Sequence, residues 1–531
     1  MKRLLSLLLL AAPLSPLHAK WMEASSSHFV IYADDTPAEL QKFSEQLERF
    51  HEAMGLVLSV KEPPPSPSSR VTVYVVRSDR EVRKLAGDGE KFLYAFYSPR
   101  AGGSFAIVPA VDARSGLPDF SMIALLHEYA HHFQLSASRH SWPRWFVEGS
   151  AEFLASAKFD RDNSVTLGLW ARHRTAELTY ALDVTARDLL DPDSYEKKNR
   201  KSYDAFYGKS WLLYHYLTFA KERPGQLVRY LQAMVGGQSS AEAARAVFGD
   251  LDQLEKDLQR YQGQRTITSL RIAPAGVTPG PVTLRTLSVG EAAMMPVRIR
   301  SRRGVTPEQA TALLPEARAI AARFPGDAAV LTALAEAEHD AGHDDTAIAA
   351  ADAALAIDPS QVNAYVQKGL SMFRKAQEAP DKALAYRAAR APFVALNKIE
   401  NDHPLPLLYF YMGFRAQGIK PTPLAVQALE RAVELAPFDP ELRFSLVSQQ
   451  IYDKAYDKAM INLAPLAYNP HGGQGSEMAR KLLDRLKAHD KLDDVDPANL
   501  FAGLSSEGDQ EPAGDGGQSG KGGASGGKKA E

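Results

Sequence analysis

His127-Glu128-Tyr129-Ala130-His131 decides the reading of this chain. It lies within an apolar run of Met122, Ile123, Leu125, Leu126, Tyr129, Ala130 and Phe133. That spacing predicts a buried helix, with Asp119-Phe120-Ser121 offering its N-cap. Two histidines four positions apart share one helix face, one turn apart, where both imidazoles can chelate one ion. Glu128 lies about 100° round the helix from His127. It can therefore reach a metal-bound water without being a ligand. The apolar flanks imply burial, and buried His and Glu need partners.

The next stretch can supply those partners. Ser141-Trp142-Pro143 is expected to start a second helix with Pro near its first position, continuing from Arg144 through Phe153. A hydrolytic two-His zinc site takes a third protein ligand and keeps one position for water. Glu148, seventeen residues after His131, can supply it. Gly149 follows, and glycine in a helix interior costs about 1 kcal/mol, which points to a close-packing reason. Glu152 shares the face of Glu148 one turn on. It can accept the free ring N–H of a ligand His, or be a solvated helix charge. The chain has no cysteine. Disulfides, thiolate metal sites and cysteine nucleophiles are thereby excluded, and any tight metal site must use His and carboxylate.

His127-Glu128-x-x-His131 followed by Trp145-Phe146-Val147-Glu148-Gly149-Ser150-Ala151 resembles the gluzincin metallopeptidases, in particular bacterial peptidase MA-like domains, which are often fused to tetratricopeptide repeats (TPR). The resemblance covers residues 20–264. It implies an α+β zincin-like metallopeptidase domain, a mixed sheet plus a helical subdomain, that hydrolyses peptide bonds in a peptide or protein substrate. It further implies one zinc ion per chain held by His127, His131 and Glu148, with Glu128 as general base and Glu152 orienting His127. Tyr207-Gly208-Lys209-Ser210 resembles a segment of the zinc aminopeptidases whose tyrosine stabilises an oxyanion. The implied residue is Tyr207, with Tyr203 its rival; Tyr203, Tyr207, Trp211 and Tyr214 also have the helical spacing of core aromatics. In gluzincins an edge strand before the metal helix pairs with the substrate backbone. The run Gly103 to Ile107 corresponds to it, though it reads equally as an interior strand. His132 is expected to point away from the metal face, and His140 to be solvated.

Outward from the site, Phe29 to Ala33, Val71 to Val76 and Ser104 to Val108 read as strands, with a helix over Leu40 to Met54. After Pro118 the pattern is helical to about Tyr261. Strands first and helices after suggest an α+β domain. Residues 265–304, with Pro274, Pro279 and Pro281, read as a linker holding one or two short strands. Residues 305–490 are Ala- and Leu-rich. Pro325 and Pro359 stand 34 residues apart, each after a helix-length run, and Pro440 and Pro470 repeat the theme. That period resembles the tetratricopeptide repeat, so an all-α TPR-like domain is expected, binding a protein partner or a substrate segment on its concave face. Residues 491–531 are Gly-, Ser- and Lys-rich and are expected to be disordered.

Residues 1–19 carry Met1-Lys2-Arg3, a short apolar run and a small residue at Ala19 before Lys20, the pattern of a secretory signal peptide. The mature chain is expected to be exported, periplasmic or secreted, with no transmembrane segment. The 531 residues are 45% hydrophobic and 24% charged, ordinary globular values. Lys+Arg is 62 and Asp+Glu 64, a net charge of −2, which argues against a dedicated nucleic-acid binder. The alternative to a peptidase is a TPR-based scaffold carrying a catalytically inactive peptidase-like domain.

Overall fold

The computed structural model describes residues 21–61, 64–86, 95–110, 116–137, 140, 142–198, 203–469 and 473–488; the expected signal peptide and low-complexity tail lie outside them, as does Ser141. The chain is mixed α+β followed by a large helical segment.

Five strands open the first part: β1 (Met22–Ser25), β2 (Phe29–Ala33), β3 (Val71–Val76), β4 (Phe96–Ser98) and β5 (Phe105–Pro109). With β9 (Thr283–Thr286) they form a six-stranded sheet in the order β4-β5-β3-β2-β1-β9. β2, β3 and β5 run parallel, while β4, β1 and β9 are antiparallel to their neighbours. The parallel strands are covered on both faces, as parallel strands require. Residues alternate as the strand period of two dictates. Val71, Val73, Ala106 and Val108 face helices α1 (Pro37–Leu58) and α3 (Phe120–Ala137). Tyr74, Val76, Phe105 and Ile107 face α2 (Asp79–Ala86) and the helix Val289–Arg303. A small antiparallel sheet follows, made of β6 (Lys158–Phe159), β7 (Val165–Leu167) and β8 (Leu270–Ile272).

Two sequence expectations need correction. Gly103 to Ile107 is not a sheet edge: β5 lies between β3 and β4, and β4 takes the outer position. The aromatic pair Phe96-Tyr97, only a three-residue strand, carried too little pattern to be seen. Residues 265–304 hold the two short strands expected there, β8 and β9, but are packed into the domain. β9 closes the large sheet against β1, β8 joins the small one, and Val289–Arg303 packs Met295 and Ile299 under the large sheet. The segment reads as a linker because Pro274, Pro279 and Pro281 break its pattern and its strands are short, while the helix Val289–Arg303 runs on through Pro296.

Beyond Gly304 the chain is built of consecutive helices joined by tight turns. Ala328–Asp340 and Asp344–Ile357 form one pair, and Gly342 between them adopts φ 81°, a left-handed turn conformation that favours glycine. The next pair begins at Val362, 34 residues after Ala328. Asp327 caps its helix by accepting from the backbone N–H of Ala329 and Val330. Alanines fill the seams, with Ala335, Ala351, Ala354 and Ala364 all fully buried, so the axes approach closely. The irregular middle has a simple cause: Val362–Gln377 is followed by two short helices, Lys382–Ala389 and Ala391–Ile399, in place of one. The period resumes with Pro404–Arg415, Pro423–Leu435 and Pro440–Tyr452. This geometry is TPR-like.

The helical segment curls back onto the first domain. Glu400 accepts from the backbone N–H and the hydroxyl of Ser68 at 2.9 and 2.8 Å. Asp439 accepts from the Ala101 N–H at 2.6 Å, and the Phe438 ring lies 4.4 Å from that of His132. No helix among the described residues is long and apolar enough to cross a membrane.

Candidate metal centre

The helix that carries His127, Glu128 and His131 is α3. Asp119 caps it, its Oδ1 accepting from the Met122 N–H at 2.8 Å. Leu125, Leu126, Tyr129, Ala130 and Phe133 bury one side of it against α1 and the sheet, and Tyr129 Oη lies 2.8 Å from His51 Nδ1. His127 and His131 therefore face the other way, toward α4 (Arg144–Ala155). Pro143 occupies the N-cap of α4 rather than its first turn, and Trp145 anchors the helix in the core.

Gly149 of α4 meets the helix Phe206–Phe219. A Cβ at Gly149 would fall on the backbone carbonyl of Ser210 and within 3.2 Å of Tyr214 Cβ. Alanine gains about 1 kcal/mol of helix propensity over glycine, but a backbone carbonyl cannot yield as a side chain can. Overpacking costs about 1–3 kcal/mol and occasionally more. Gly149→Ala is therefore expected to lower the stability of the chain by about 2 kcal/mol net. An unchanged urea midpoint would remove this account of the glycine.

The close approach seats Glu148 beside the histidines. One ligand atom each from His127, His131 and Glu148 lie within 4.8 Å of one another, and all three residues are buried. Glu148 Oε2 stands 3.4 Å from His127 Nε2 and 3.3 Å from His131 Nε2. The two Nε2 atoms are 2.9 Å apart. Ligands about 2.0–2.1 Å from a tetrahedral zinc stand about 3.4 Å from one another. The two carboxylate separations match that value, and the imidazole pair is slightly closer. Two imidazoles and one carboxylate suit zinc, and three protein donors leave a position for water. The pocket also favours positive charge. Burial opposes a charge on His127, but the carboxylates of Glu148 and Glu152 outweigh it and raise its pKa to about 10.

Glu152 is fully buried beneath the site. Its Oε1 lies 3.2 Å from His127 Nδ1, so the helix charge is not solvated. Arg174 donates to the same oxygen from Nε at 3.0 Å and from Nη2 at 2.5 Å, and His173 Nε2 contacts Oε2. Burial pushes this carboxyl up, yet Arg174, His173 and His127 together hold it well below the usual carboxylate range. Arg174 reaches on to Glu177 at 3.3 Å. Glu128 is buried beside His127; burial raises its pKa against the opposing pull of His127 and His131. A carboxylate raised in this way is a stronger base than an exposed one.

Tyr207 is partly buried between two arginines. Its Oη lies 3.5 Å from Arg144 Nη2, and the Arg174 guanidinium sits 4.8 Å from its ring centre. Tyr203, by contrast, is 40% exposed. His132 turns from the site, with Nδ1 2.5 Å from Tyr97 Oη. His140 is exposed. Sequence reasoning missed His173 and Arg174 because Arg172-His173-Arg174 has no periodic signal and reads as a solvated basic cluster. It also passed over Arg144, which differs from an ordinary helix-surface arginine only in tertiary context.

Comparison with protein-family models gives no match, and neither does comparison with curated proteins. Among solved structures, a TPR protein from Thermus thermophilus is similar to this chain. It is 16% identical, the match covers 37% of this chain and 100% of that one, and the TM-score is 0.31.

Proposed function

We propose that the first domain is a zincin-like, zinc-dependent peptidase, exported from the cytoplasm, and that the TPR-like segment binds its protein partner or substrate. The observation that carries this reading is the buried convergence of His127, His131 and Glu148 with Glu128 beside them. His127, His131 and Glu148 would hold a zinc ion, which would supply a Lewis acid and lower the pKa of a bound water toward neutrality. Glu128 takes a proton from the attacking water and delivers it to the leaving amine. Glu152, pinned by Arg174, holds His127 through Nδ1, so that Nε2 keeps its lone pair turned toward the ligand position. Tyr207 supplies a phenol O–H for the developing oxyanion, and its ring is held by the guanidinium above it.

The test is the metal content of the purified full chain beside a His127→Ala control. About one zinc per chain, lost in the control, is the expected result. No metal in either protein after zinc is added back would overturn the reading and leave a repeat scaffold with an inactive domain.

A further inference from the structure

Arg144 is a half-buried guanidinium with no ion pair to any described carboxylate. Its Nε is buried without a hydrogen-bond partner, and its single hydrogen bond among the described residues is the 3.5 Å contact with Tyr207 Oη. Aromatic faces hold it, and the Glu148 carboxylate, though in no ion pair with it, lies near enough to favour its charge. Its carbon Cζ lies 4.4 Å from the Phe206 ring centre and 5.7 Å from that of Tyr207. Two planar rings therefore fix the orientation of the guanidinium and leave its outer N–H edge uncommitted.

Its placement in the helix matters as much. Arg144 is four residues before Glu148 on α4, so both project along one face of the same helix, one turn apart. The arginine thus stands directly beside the third metal-ligand position and touches Tyr207. Buried charges in folded proteins are ordinarily paired. A pre-oriented arginine in no ion pair, one turn from Glu148, keeps N–H donors whose fork geometry fits a further carboxylate.

Resting on the peptidase reading, we infer that Arg144 is a specificity-determining residue that binds a carboxylate of the substrate near the scissile bond. Two sources share that chemistry: the C-terminal carboxylate of a peptide, and an Asp or Glu side chain within it. The first makes the enzyme a carboxypeptidase of short reach, and the second an endopeptidase preferring acidic sequences.

The test uses zinc-supplemented full chain and four pools of randomised octapeptides. One has a free C-terminus and no acidic residue, and a second is its C-terminal amide. The third and fourth are amides with a fixed Glu or a fixed Gln. Wild type is expected to favour the pool bearing the recognised carboxylate over its neutral partner by roughly 10- to 100-fold in kcat/KM, the range for a hydrogen bond to a charged group. Arg144→Ala is expected to abolish that preference while still cleaving the neutral pool. Arg144→Lys, which keeps charge without the fork, should retain only part of it. The cleavage position identifies which carboxylate is bound. If Arg144→Ala lowers all four pools equally, the arginine only holds Tyr207 and the inference is overturned; it is overturned equally if the preference survives the substitution. If wild type cleaves none of the pools, the peptidase reading fails separately. Retention of the same fluorescently labelled pools on Glu128→Gln protein then decides the role of Arg144. Carboxylate-dependent retention lost in the double variant supports it, and its absence overturns it. Circular dichroism melts and zinc content establish that each variant is folded.

Discussion

Glu128→Gln is expected to keep its zinc and to cut hydrolysis of a randomised peptide pool by on the order of 10²- to 10⁴-fold, the usual contribution of a general base. The physical argument is specific. Glutamine has nearly the shape of glutamate, so α3 keeps its packing and His127 and His131 keep their positions. The carboxamide cannot accept and return a proton. Glu128 is also buried, and burial raises its pKa, which makes it a stronger base than an exposed carboxylate. Two measurements on one sample separate the possible causes. Zinc content near one per chain with lost turnover assigns the loss to proton transfer. Zinc lost together with turnover would make Glu128 part of the ligand shell. Turnover within a factor of three of wild type would rule out Glu128 as the base.

The second large effect belongs to Glu152. Glu152→Ala removes the carboxylate that Arg174, His173 and His127 share. Arg174 would stay buried, keeping its 3.3 Å contact to Glu177 and its place over the Tyr207 ring but losing both of its hydrogen bonds to Glu152. Removing one partner of a buried charge pair typically costs about 3–5 kcal/mol, because the remaining charge is left uncompensated. The retained Glu177 contact places the expectation at the lower end, about 3 kcal/mol. Independently, His127 loses the carboxylate oxygen 3.2 Å from its Nδ1, and losses of such partners weaken metal binding by about 10- to 100-fold. Urea unfolding of the metal-stripped protein reads the first effect, and competition with a chelator reads the second. Glu152→Gln keeps a hydrogen-bond acceptor for His127 but not the charge for Arg174. It should therefore weaken stability more than zinc affinity. A variant as stable as wild type would mean that the Glu152–Arg174 pair contributes nothing, and unchanged zinc affinity would overturn the positioning account.

The local parts of the site were legible because helix geometry is a short-range rule. Asp119 as N-cap, the shared face of His127 and His131, and the one-turn spacing of Glu148 and Glu152 all follow from 3.6 residues per turn. Gly149 likewise announced a close approach, though not which helix approaches. The strands Val71–Val76 and Phe105–Pro109 were visible because β-branched and aromatic residues crowd them. The three-residue strand β4 and the exposed strand β9 lacked that signal, so the sheet edge and the integration of residues 265–304 stayed hidden. Charged residues were the hardest to read. An arginine on a helix surface and one beside a site have the same local sequence.

By itself, the sequence determined the elements whose cause lies within a few turns of chain. These are the capped metal helix, the glycine-marked second helix and the alanine-seamed pairs that recur at 34 residues. Tertiary structure alone decided which groups meet across distance. It set Glu148 against both histidines, Arg174 and His173 under Glu152, Arg144 against Phe206 and Tyr207, and Phe438 against His132. The reason is physical: backbone periodicity is imposed by bonded neighbours, whereas burial and pairing of charge depend on what the rest of the chain packs against them.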